Sequence, residues 1–95
     1  MNQKLARAVI FKSDGDVCIH YFDAEEPTLK EMQNIVDGPI ELIHLPKNQI
    51  MVVNEEGFIH HMPFNQPAVN YLHEHGITHI PVVGNAFVLK SDLIS

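Results

Sequence analysis

Residues 28–45 read TLKEMQNIVDGPIELIHL, and this stretch decides the fold. Thr28 followed three residues later by Glu31 is a capping box: the hydroxyl accepts from the third helical amide, and the carboxylate reaches back. Leu29, Met32, Ile35 and Val36 recur at helical spacing and define one apolar face. Gly38 supplies the left-handed stop and Pro39 forbids continuation. Ile40 to Leu45 then alternates, with Ile40, Leu42 and His44 on one face and Glu41, Ile43 and Leu45 on the other. A short helix that runs directly into a short strand points to a mixed structure.

Outward from this segment the chain keeps the same grain. Upstream, Ala6–Lys12 contains Ala8-Val9-Ile10-Phe11 and reads as a strand. Ser13-Asp14-Gly15-Asp16 is a turn, and Asp16–Phe22 alternates with period two, so residues 6–22 form a hairpin. Downstream, Gln49–Asn54 is a strand and Asn54-Glu55-Glu56-Gly57 a turn, with Phe58–Met62 as the return strand of a second hairpin. Asn65-Gln66-Pro67 opens a second helix that stops at Gly76. Ile80–Val83 and Ala86–Lys90 read as short strands around Gly84-Asn85. Hairpin-length links dominate. The expectation is therefore α+β: one small domain over residues 1–95, mainly an antiparallel sheet of six or seven short strands with two short helices.

Composition narrows the partners. Six Lys and Arg against twelve Asp and Glu give a net charge of −6, which lacks the basic footprint of a nucleic-acid binder. Acidity also suits the chain poorly to an anionic membrane surface, and no apolar run approaches the roughly 18 residues of a span. Seven histidines are neutral in this count, so net charge moves strongly between neutral and mildly acidic pH. Cys18 is the one cysteine and has no internal disulfide partner. With no secretory pattern at Lys4–Phe11, the expected setting is a reducing cytoplasm. The expected state is a monomer or homodimer: free sheet edges favour pairing, and acidic charge opposes it.

Motif chemistry is sparse. His60 and His61 are adjacent in an expected strand and point to opposite faces. His73 and His75 diverge around a helix end, where they complement its dipole. His44 is placed to meet His60 or His61 across the sheet, and His75 to meet His79 around Gly76, but neither meeting is forced. No metal and no cofactor is expected from this spacing. Cys18 shares a strand face with His20 about 7 Å away, in acidic surroundings that disfavour a thiolate, and reads as a packing residue. Glu55 and Glu56 lie in a turn, where charges are solvated. Glu41 interrupts an apolar strand and reads as a half-buried carboxylate, or as an edge charge that blocks sheet association. No phosphate loop, nucleophile elbow or paired-cysteine motif occurs.

Three segments carry a family resemblance: TLKEMQNIVDGPIE (28–41), VNEEGFIHHMPFNQPA (53–68) and VGNAFV (83–88). Together they resemble a short domain of unknown function carried mostly by bacteriophages, plasmids and other bacterial mobile elements, over about residues 24–90. The sequence departs from that pattern at Asp37, where Gly is usual, and at Pro39. The resemblance singles out Gly38, Glu41, Asn54, Glu55, Glu56, Gly57, Asn65 and Ala68. A small acidic chain without a catalytic constellation is expected to be a non-enzymatic binding module that acts by protein–protein contact, and the resemblance implies host proteins, components of host defence among them, as its partners. The expected binding residues are Glu41 and Asn65, with Glu55 and Glu56 at the rim. The alternative is a small enzyme, or a metal- or small-ligand-binding domain, that uses Glu41, Asn65 and nearby histidines.

Overall fold

The computed structural model describes residues 5–94. The elements in chain order are β1 (Arg7–Phe11), β2 (Val17–Tyr21), α1 (Leu29–Val36), β3 (Ile40–Leu45), β4 (Gln49–Asn54), α2 (Gln66–Glu74) and β5 (Ala86–Lys90), followed by a 3-10 turn, Ser91–Leu93. The five strands form one sheet in the order β2-β1-β5-β4-β3, and every pairing is antiparallel. The last strand of the chain thus lies in the middle, between the two hairpins β1–β2 and β3–β4.

Central strands buried on both faces read as unbroken apolar runs, and Ile50–Val53 and Ala86–Leu89 do so. Their side chains alternate between two cores. Ile50, Val52, Phe87 and Leu89 join Ala8, Ile10 and Phe22 beneath Met32 and Val36 of α1. Met51, Val53, Ala86 and Val88 join Phe11 beneath Ala68, Val69 and Leu72 of α2. The architecture is therefore helix, sheet, helix, with one short helix per face.

The helix ends follow their local chemistry. The Thr28 hydroxyl accepts from the Glu31 amide at 3.1 Å, and the Thr28 amide donates to Glu31 Oε1 at 2.9 Å. Asn65 caps α2 by accepting from the Ala68 amide at 3.0 Å.

Several expectations need correction. Among the described residues the sheet has five strands, not six or seven. Phe58–Met62 is not a return strand: Glu55–His61 is a run of turns. The true partner of β4 is β3, joined through Pro46-Lys47-Asn48, where Lys47 and Asn48 take φ of 63° and 59°. Ile80–Val83 forms no strand beyond one bridge, Phe64↔Val83. The left-handed residue that ends α1 is Asp37 (φ 65°, ψ 41°), not Gly38. Gly38 serves another purpose, because a Cβ there would lie 2.6 Å from Asn54 Nδ2. Glu41 is exposed, not half-buried, on the edge strand β3.

Two stability outcomes follow from these caps. Thr28→Ala is expected to cost about 1 kcal/mol, read from urea midpoints. Glu31 is held below the usual carboxylate range, first by the Thr28 amide it accepts from. A depressed carboxylate contributes stability that is present above its unfolded pKa and lost as pH falls through the folded one. Glu31→Gln should therefore flatten the acid side of the stability profile.

Asp37 places a side chain where only glycine is unstrained, and a carboxylate at the negative end of a helix. Asp37→Gly is expected to raise stability by about 0.5–1 kcal/mol, the left-handed penalty less the added glycine entropy. An unchanged or lowered denaturation midpoint would show that Asp37 is not strained.

Candidate functional site

At one corner of the sheet, the start of β3, the end of β4, the turns after Asn54 and the segment 77–83 surround a cavity of about 540 Å³. Its walls are mainly apolar: Ile43, Val53, Phe58, Ile77, Ile80 and Val82. Its polar lining residues include Glu41, His44, Glu55 and His79, all four of them exposed. Register explains the corner. Glu41 pairs with Val53 on β4, and alternation puts Glu41, Val53 and Glu55 on the same face, the one that α2 covers further along.

The turns are held by Asn54, which is buried. Its Nδ2 donates to the carbonyls of Val36 and Asp37 at 3.0 and 3.1 Å, closing the C-terminus of α1. Its Oδ1 accepts from the Glu56 amide at 2.7 Å and starts the turn. Gly57 lets this turn press against the neighbouring segment, since a Cβ would lie 2.8 Å from Val83 Cγ2. The consequence is that Phe58 and Ile59 are thrown outward, 61% and 72% exposed.

The four expected site residues separate. Glu41 and Glu55 share the cavity. Glu56 turns away and meets His60 Nε2 at 3.3 Å. Asn65 is 0% exposed. Its Nδ2 donates to the carbonyls of Phe11 and Gly84 at 2.8 and 2.7 Å, and its Oδ1 caps α2. Both amide protons and the oxygen are thus committed inside the fold, so Asn65 has no face on the cavity.

The histidines also disperse. His75 Nδ1 lies 2.8 Å from the Tyr71 carbonyl, with its ring 4.3 Å from the Tyr71 ring. His20 packs edge-on against Phe22. Among the described residues, no group of three or more His, Cys, Asp or Glu is placed to hold a metal ion. Cys18 is exposed on β2, not packed.

The sequence model of a family described as Domain of unknown function (DUF3846) matches residues 6–93. The chain belongs to this family. The match takes in all five strands and both helices, so the cavity lies wholly within the family's domain. No curated protein and no solved structure matches the chain.

Sequence reasoning missed Phe58, Ile77, His79 and Ile80 as cavity residues. One signal for Phe58 was present: an apolar pair immediately after an Asn-Glu-Glu-Gly turn, without the alternation a return strand needs.

The two polar candidates should behave oppositely. Asn65→Asp keeps the cap oxygen but places a charge opposite two buried carbonyls, and is expected to cost roughly 3 kcal/mol or more. Glu41→Gln should stay within about 0.5 kcal/mol of the wild type, as an exposed substitution does. Urea unfolding of both variants compares them directly; similar losses would overturn this division of roles.

Proposed function

We propose that the domain is a non-enzymatic binding module that acts by protein–protein contact through the cavity corner. One observation carries the reading: an open apolar hollow, with exposed Phe58 beside it and two carboxylates on one side. Aromatic anchors in a hollow with a charged rim are the usual anatomy of a protein contact. Glu41 and Glu55 select for positive charge on the partner, and the net charge of −6 speeds encounter with a basic surface. In the mobile-element setting implied by the sequence resemblance, the partner is a host protein, with components of host defence the first class to examine.

Catalysis is less well supported. Glu41 and Glu55 are both exposed, and an open, wet corner lacks the water-excluded setting in which enzymes place reacting groups. A pocket this open suits a side chain offered by a protein better than an enclosed small molecule.

Affinity capture from host lysate tests the proposal. Wild-type protein should retain a partner that Phe58→Ala and Glu41→Lys each lose, while Ile19→Ser on β2 keeps it. Because all three side chains are exposed, the fold should survive, which thermal unfolding verifies. A partner that survives both corner substitutions would sink the assignment of this surface.

A further inference from the structure

β3 is terminal in the sheet, and its free edge runs along the cavity. Hydrogen-bond alternation identifies which of its main-chain groups are free. The Glu55 amide donates to the Pro39 carbonyl at 2.8 Å, so Pro39 and Glu55 form a hydrogen-bonded pair one step beyond Ile40↔Asn54. In an antiparallel ladder such pairs alternate with pairs that are not hydrogen-bonded. Glu41–Val53 and Ile43–Met51 are then bonded, while the N–H and C=O of Ile40, Leu42 and His44 point away from β4. Among the described residues, no loop main-chain hydrogen bond reaches these groups.

The side chains beside this edge specify what fits. Glu41 and Ile43 lie two apart on the cavity face, an acid followed by an aliphatic. A strand added to β3 would set two of its own side chains, also two apart, opposite them. Beside Glu41 and Glu55 the favoured side chain is Lys or Arg. Beside Ile43, facing Ile77 and Ile80, it is aliphatic. The opposite edge, β2, exposes Val17, Ile19 and Tyr21, but carries no charge pair that selects an occupant.

We propose that β3 accepts an extended segment of a partner protein as a sixth strand, in which a Lys or Arg lies two residues from an aliphatic residue. This deepens the module reading and rests on it. Main-chain bonds to Ile40, Leu42 and His44 give the affinity, and the cavity corner gives the selectivity. The same charge that selects the partner keeps β3 from pairing with a second copy, since Glu41 would approach another acidic edge.

A library of random nonapeptides displayed on phage and panned on the full chain supplies the probe. Enriched peptides should carry the basic–x–aliphatic spacing. His44→Pro is the decisive variant, because it removes an outward N–H from an exposed residue and leaves the β3–β4 bonds in place. It should weaken the enriched peptides about tenfold or more, with His44→Val binding like wild type and Glu41→Lys losing the preference for basic peptides. Thermal unfolding confirms that each variant is folded. Failure to enrich any peptide, or peptides indifferent to His44→Pro, would overturn strand addition. Self-association abolished by His44→Pro would name a second copy as the occupant and overturn it as well. If His44→Pro leaves the captured partner bound while Phe58→Ala releases it, strand addition falls and the binding module stands. If neither variant releases the partner, strand addition and the assignment of the contact to this corner both fall.

Discussion

The carboxamide of Asn65 joins three parts of the chain that are far apart in sequence. It ties the end of β1 at Phe11, the turn at Gly84 that leads into β5, and the first turn of α2. Helices of eight and nine residues are too short to persist alone, so each must be fixed to the sheet at an end. Asn54 does for the C-terminus of α1 what Asn65 does for the N-terminus of α2. Among the described residues every buried side-chain nitrogen and oxygen has a partner. The fold tolerates two buried amides because each satisfies main-chain groups that would otherwise be orphaned at helix ends and turns.

These tethers also explain the shape of the corner. With Asn54 holding both α1 and the Glu56 amide, the chain after β4 cannot turn back as a strand. It coils instead against Val83 through Gly57, and its apolar residues are directed outward. An asparagine spent on structure thereby creates the exposed Phe58 and Ile59, and the hollow behind them. Position in the fold assigns these residues their character more than residue type does.

Local patterns carried much of the fold. The first hairpin, both helices and the capping chemistry were legible because each rests on contacts between near neighbours in sequence. What failed depended on distant partners. Phe58–Met62 looked like the return strand for β4 because it followed a strong turn, yet β4 is flanked by β3 on one side and on the other by β5, which begins only at Ala86. The Ile80–Val83 run is apolar because Val82 seals the core beneath α2, not because it pairs. Asp37 shows the same limit at one residue: glycine was read as the left-handed position because Gly38 was available, while the close approach of Asn54 had already claimed it. Of the residues at the cavity, Glu41 was singled out by charge set against an apolar strand and Glu55 by the family resemblance. Asn65 carried the same signal for another reason, since a polar residue bracketed by apolar ones marks a buried brace as readily as a binding group.

In the proposed contact, Glu41 is where structure and binding meet. An exposed edge strand invites indiscriminate pairing, and a charge on it is the common remedy. Repulsion by a carboxylate is selective, however: it opposes neutral and acidic strands and favours basic ones. On the strand-addition proposal, a guard placed beside an open hollow and a second carboxylate at Glu55 becomes a filter that favours a strand carrying the opposite charge at the matching position. A lysine would have guarded the edge equally well and would have selected acidic segments instead. On that proposal the sign of the charge, not its presence, is the functional information in this position. It agrees with the sign of the whole chain, so that long-range attraction and local recognition favour the same partner.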